Sequence, residues 1–191
     1  MRRGSELEQA SLVGREELGG KAQGLLSVHQ TLAEVDGNNF PEIKIDIPQL
    51  IVVGTSVFEA FMQRNQLHEL AFLELADPRI ANAFQRADIP FEVLGQLRTI
   101  SDNWTTPLAV RSSGLLEDIT QRPFAGVYLT KMIPNNQADA DARFKKLIEA
   151  IKFVWASTYF KIARDYCQAT GLDIRDEKMA VVIQEVIGRR H

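Results

Sequence analysis

The run "LAVRSSGLLED", residues 108–118, ends an apolar stretch on an arginine, two serines and a glycine, with two carboxylates behind them. This combination suits a phosphate group. Arg111 offers a planar fork of donors, and Ser112 and Ser113 add short O–H groups. Gly114 lets the backbone approach a polyphosphate closely. The competing reading is an ion pair between Arg111 and Glu117 or Asp118 that closes the loop. Those two acids are read as capping or solvating the loop, with orientation of Arg111 or contact to a metal as the alternatives.

A second stretch, "LGGKAQGL" at 18–25, puts Lys21 behind two glycines at the start of a helical pattern. Free N–H groups at a helix N-terminus attract an anion, and a lysine there can reach it. The glycines permit a tight turn or a close backbone approach. The alternative is a flexible turn with a solvated lysine, and the P-loop pattern is absent. A third stretch, "AVVIQEVIG" at 180–188, leaves apolar core and presents Gln184, Glu185 and Val186. Such a strand offers backbone groups to an adenine edge; the alternative is an amphipathic edge strand. Cys167 lies on a helical pattern with no histidine nearby, which fits a structural thiol better than a nucleophile. His29, His68 and His191 show no metal-ligand spacing, so no metal ligand is assigned.

The elements that must position these residues follow from periodicity. Apolar positions over 21–35 recur at helical spacing. "DGNNFPEIKIDIP" reads as a long turn, and "QLIVVGT" as a buried strand closed by a glycine. Ser56 and Glu59 have capping-box spacing, which predicts a helix start. Asp77-Pro78 predicts another, with Asp77 at the N-cap. Residues 56–102 therefore read as several short helices. "LAVRS" and "GVYLTKM" read as strands around a loop at 113–125. A long amphipathic pattern follows, with Phe144, Leu147, Ile148, Ile151, Val154, Trp155, Thr158, Ile162 and Tyr166 on one stripe. Gly171 is placed to end it. "MAVVIQEVIG" is the last strand. Strands and helices mixed in this way predict an α+β sheet with helices packed on it.

Composition sets outer limits. The chain has 191 residues, 45% hydrophobic and 25% charged, which suffices for a good core. A net charge of −3 provides no global field to recruit nucleic acid. No apolar run approaches the ~18 residues that span a membrane. The N-terminus lacks a leader's apolar segment. A single cysteine suits a reducing compartment, so the expected location is cytoplasmic.

Taken in order, the motifs resemble the N-terminal nucleotide-binding domain of the phosphoenolpyruvate synthase and pyruvate phosphate dikinase family. The resemblance rests on Gly19-Gly20-Lys21, Pro48 with "LIVVGTSVFEAF", Ala109-Val110-Arg111-Ser112-Ser113, Glu117-Asp118, Phe124-Ala125-Gly126, Val154-Trp155-Ala156-Ser157 and "AVVIQEVIG". It implies the first lobe of an ATP-grasp-like nucleotide-binding domain, an α+β fold with a mixed or antiparallel sheet and packed helices. It implies ATP phosphates on Lys21 and Arg111, with Arg111 catalytic and Ser112 and Ser113 beside them. Gln184, Glu185 and Val186 would lie next to adenine. Mg²⁺ is implied too, with its ligands mainly in a second lobe that residues 1–191 stop short of. ATP would phosphorylate a histidine on a swivelling domain, which passes the group to pyruvate or a related acceptor. Two departures are Gly114-Leu115-Leu116, bulkier than the family's residues there, and "ITQRP" at 119–123. They keep open a degenerate ATP-sensing or regulatory module. An interaction scaffold using the helices of 56–102 is the remaining alternative.

Overall fold

Apolar runs become the strands here, and their order in the sheet decides which faces the helices cover. The computed structural model describes residues 10–14, 18–34, 48–119, 124 and 126–188. The turn expected over 36–47 and residues 120–123 of the loop fall outside them. The strands are β1 (Ala10–Val13), β2 (Leu50–Val53), β3 (Leu108–Gly114), β4 (Thr130–Ile133) and β5 (Met179–Glu185). The helices are α1 (Gly20–Glu34), α2 (Thr55–Arg64), α3 (Asp77–Arg86), α4 (Phe91–Asn103), α5 (Leu116–Ile119), α6 (Ala140–Ser157) and α7 (Lys161–Thr170). Short 3-10 turns sit at Leu67–Phe72 and Ile174–Asp176.

The sheet has five strands in the order β1-β2-β5-β3-β4. β1 runs parallel to β2, and the other pairings are antiparallel. The α+β expectation with a mixed sheet is therefore met. Strand alternation sorts the side chains. Ile51, Val53, Leu108, Val110, Val181 and Ile183 face the main core. Leu50, Val52 and Val182 face the other way, onto Ala22 of α1. Both faces of the middle strands are covered, so β2 and most of β5 read as continuous apolar runs.

The long amphipathic stretch is two helices, not one. Asp139 caps α6, its carboxylate accepting the N–H of Asp141 at 3.1 Å and of Ala142 at 3.2 Å. The chain turns through Thr158–Phe160, where Tyr159 and Phe160 are buried. Asp77 holds the restart: its Oδ1 accepts the N–H of Lys161 at 2.8 Å. Asp77 was expected as the N-cap of its own helix, but Ala76 occupies that place and Asp77 caps α7. The break turns Ile162 outward, 54% exposed, so it is not core. The capping box is also corrected. Gly54 is the N-cap of α2, and Glu59 pairs with Lys178 at 2.9 Å. The "GVYLTKM" strand starts only at Thr130, after a turn at Gly126. Gly171 ends α7 as expected, with φ at 74°.

Trp155 joins α6 to the sheet. It is fully buried, its Nε1 donates to the Met179 carbonyl at 3.2 Å, and its ring lies 4.8 Å from Phe61 and 5.9 Å from Phe58. No helix of the described residues is long and apolar enough to cross a membrane. Trp155→Ala is expected to cost ~3–5 kcal/mol of stability, because it opens a large cavity. Chemical denaturation measures this, and a variant with the parent's midpoint and slope would refute the packing described.

Candidate functional site

The first turn of α1 brings N–H groups that have no partner within the helix. Ser113 of β3 supplies one acceptor: its Oγ takes the N–H of Ala22 at 3.1 Å. The chains touch so closely that a Cβ on Gly19 would lie 2.4 Å from the Ser113 carbonyl oxygen. The close approach read from the glycine pair is thus real, and its object is β3. It fixes the direction of Lys21, whose ammonium pairs with Glu117 of α5. The Lys21 side chain is 41% exposed and that of Glu117 only 7%.

Both serines of the motif are buried, on opposite faces of β3. Ser112 points to the core side of β3 and is 3% exposed. Ser113 points to α1, is fully buried, and its hydroxyl already serves as a cap. Arg111 shares the α1 side of the sheet with Ser113, by strand alternation. Its Nη1 donates to Gln184 Oε1 at 3.2 Å, and Glu117, one of the two acids of the competing ion-pair reading, goes to Lys21 instead. Two predicted site residues far apart in sequence are therefore in contact. Met132 pairs with Ala109 and so lies on this same face, 62% exposed. Helix α1 covers the middle of the face and leaves the side toward β4 open.

The third stretch is not an edge strand. β5 sits between β2 and β3, so its backbone is spent on the sheet. Beyond the regular ladder, the Glu185 N–H donates to the Gln49 carbonyl at 3.0 Å and the Val186 N–H to the Pro107 carbonyl at 2.8 Å. The Glu185 carboxylate accepts the Thr106 hydroxyl at 2.6 Å. Gln184 is half-buried beside Arg111, and Val186 is 36% exposed.

Sequence reasoning missed Glu177. It is 2% exposed and immediately precedes the Lys178-Met179 entry into β5. Its Oε1 accepts the N–H of Leu115 at 2.7 Å and of Leu116 at 3.2 Å, and its Oε2 accepts the Tyr128 hydroxyl at 2.5 Å. Burial pushes its carboxyl up to about 7 against the pull of these donors, and nearby Glu117 adds to the rise. Burial, helped by the charge of Glu177, raises the Tyr128 hydroxyl far above its ordinary range. Burial first and Glu177 second push the Cys167 thiol up to about 11, which fits an inert thiol. The only trace of Glu177 in the sequence is an acid shortly before an apolar run. Among the described residues no group of three or more His, Cys, Asp or Glu could hold a metal ion.

Lys21 and Arg111 thus lie on the same side of a mixed sheet, the side that α1 partly covers. The profile of the family described as "Pyruvate phosphate dikinase, AMP/ATP-binding domain" matches residues 15–191, and the chain belongs to that family. A phosphoenolpyruvate synthase from Aeropyrum pernix is 30% identical over 83 residues, 44% of this chain and 9% of that protein. The match thus covers a small part of the relative's length.

The seating of α1 on β3 gives a direct test. Gly19→Ala pushes a methyl group into backbone that cannot yield, and is expected to cost ~1–3 kcal/mol. Gly24→Ala, in the same helix with nothing within 4 Å of the new Cβ, is expected to stabilise by ~0.5–1 kcal/mol. Thermal melts of the two variants compare them. Equal effects would mean that α1 does not press on β3 at Gly19.

Proposed function

We propose that this chain is the ATP-binding part of a phosphotransferase, which phosphorylates a histidine on a swivelling domain en route to pyruvate or a related acceptor. The observation that carries the reading is that Lys21 and Arg111 reach the same side of the sheet, one from a helix N-terminal turn and one from a strand. The family's AMP/ATP-binding domain supports reading both as contacts of the nucleotide phosphates. Lys21 acts as a compact point charge, and Arg111 as a fork that holds oxygen atoms in a plane. Phosphoryl transfer needs positioning and charge neutralisation more than covalent chemistry from the protein. Arg111 is the catalytic residue of this reading, because it faces the charge that develops on the phosphoryl oxygens. Gln184 orients that guanidinium from the next strand, and adenine would stack toward the end of β5 near Glu185 and Val186.

The described residues do not by themselves fit a Mg²⁺ site, since no suitable cluster of donors exists among them. The phospho-histidine domain belongs to the same proposal. Its support is the resemblance to the family and the printed name of the Aeropyrum pernix relative. A regulatory ATP-binding module is the second reading. What favours it is that both loop serines are buried and Glu117 already holds Lys21.

Arg111→Ala is expected to weaken ATP binding by ~1.5–3 kcal/mol, the range for a hydrogen bond to a charged group. Arg111→Lys should also weaken it, because the fork is lost. Calorimetric titration with ATP measures both. Unchanged affinity in Arg111→Ala and in Lys21→Ala would overturn the phosphate assignment. In the whole protein, γ-labelled and β-labelled ATP used in parallel separate the two readings: label on a histidine from either supports the phosphotransferase, and binding without label from both supports the regulatory module.

A further inference from the structure

The loop that carries Glu117 leaves β3 at Gly114 and returns at Tyr128, ahead of β4. One buried carboxylate holds both of its stems. Glu177 takes the N–H groups of Leu115 and Leu116 on one oxygen and the hydroxyl of Tyr128 on the other. Gly114 makes room for it, since a Cβ there would lie 2.7 Å from Glu177 Oε2. Leu116 and Tyr128 are 4% and 6% exposed, so the stems themselves cover the carboxylate. The residue after Leu116 is Glu117, the partner of Lys21.

We propose that Glu177 is a positioning residue for the phosphate end of the nucleotide site: by tying Leu115 and Leu116, just after β3, to Tyr128, ahead of β4, it sets Glu117 against Lys21. The role given to Lys21 rests on the nucleotide reading above, whereas the clamp stands on its own geometry. The Lys21–Glu117 pair is thereby fixed from two sides. Ser113 holds the first turn of α1, and Glu177 holds the first turn of α5.

The clamp is sensitive to pH near neutrality. Glu177 is faced by Glu117 from α5, Tyr128 from the stem before β4, Tyr159 from the turn after α6, and Cys167 from α7. None of these is a cation, and the adjacent Lys178 is engaged by Glu59 at 2.9 Å. With these contacts made, the Glu177 carboxyl is held at about 7, while a solvated carboxyl titrates near 4.5. Separating Leu115, Leu116 and Tyr128 from Glu177 uncovers it, so the separated form releases a proton that the clamped form keeps. The contribution of the clamp is therefore full below about pH 4.5 and is lost as pH rises to about 7. Glu177→Gln is the neutral isostere: its amide oxygen still accepts from Leu115 and Leu116, and it cannot titrate.

The test is hydrogen exchange at the amides of Leu115 and Leu116 as a function of pH, corrected for the intrinsic rate, in the parent, Glu177→Gln and Tyr128→Phe. The expected result is an opening constant that rises more than tenfold between about pH 5 and pH 8 in the parent and stays flat in Glu177→Gln. Tyr128→Phe should speed exchange at Leu115 and Leu116, although it alters the other stem. ATP affinity is titrated in parallel. The ratio of parent Kd to Glu177→Gln Kd should rise at least about threefold over the same range, a form in which the nucleotide's own protonation cancels. Identical exchange profiles in parent and Glu177→Gln overturn the clamp. Altered exchange with a constant Kd ratio overturns the positioning role. A parent that binds no ATP at any pH overturns the nucleotide reading, and the exchange data then judge the clamp separately.

Discussion

The seating of α1 on β3 is the contact on which the site depends. A helix N-terminus inside a protein must find acceptors for its leading N–H groups. Here the Gly19 carbonyl takes the Ala22 and Gln23 N–H groups at 2.9 and 3.1 Å, and a side-chain acceptor is added from a middle strand, Ser113, which shares the Ala22 N–H at 3.1 Å. Hydrogen-bond reach demands that the backbones nearly touch, and only a residue without a side chain fits at Gly19. The cap therefore does more than end a helix. It locks the first turn of α1 in place on the sheet and commits Lys21 to the edge where α5 begins.

The second constraint comes from sheet order. With β5 between β2 and β3, the strand that carries Gln184 lies directly beside the strand that carries Arg111. Arg111 pairs across the ladder with Val182, and its side chain reaches diagonally to Gln184. Such a diagonal lies within reach of a long side chain. The guanidinium is thus aimed by its neighbour on β5. The antiparallel β3–β5 pairing and the α1 cap act on the same strand, so Lys21 and Arg111 are oriented relative to a common rigid element.

Local signals were legible in the sequence, and long-range ones were not. The apolar runs of β2, β3 and β5, the helical spacing of α1 and the left-handed Gly171 all depend on near neighbours in the chain. The motif residues of β3 and the first turn of α1 stood out by type, and the structure puts Lys21 and Arg111 on the same side of the sheet. What failed was assignment of partners. Asp77 caps α7 from a distant segment, and its own sequence context pointed to α3. The break at Thr158–Phe160 is invisible to periodicity, because Tyr159 and Phe160 are as apolar as the stripe they interrupt. The two serines looked like ligand groups because spacing cannot say which face of a strand is already occupied. Glu177 left no local pattern, since its three donors come from two stems of a loop far upstream.

The Lys21–Glu117 pair need not be broken for a phosphate to arrive. An ammonium carries three donors, and the pair is asymmetric in exposure, 41% for the lysine side chain against 7% for the glutamate. The carboxylate approaches from the protein side and leaves the solvent side of the nitrogen open. A lysine without Glu117 would lose more side-chain freedom on binding an anion, at a cost on the order of 1–2 kcal/mol. Held in place beforehand, it is spared most of that loss. The negative charge of Glu117 works in the opposite direction, because it partly cancels the attraction for a phosphate. Exposure decides the balance. The carboxylate is buried but the lysine end of the pair is 41% exposed, where water and salt screen it, so part of the attraction for a phosphate survives while the ordering of a long flexible chain is retained. The carboxylate that looks like a competitor for Lys21 is thus better understood as the part that aims it.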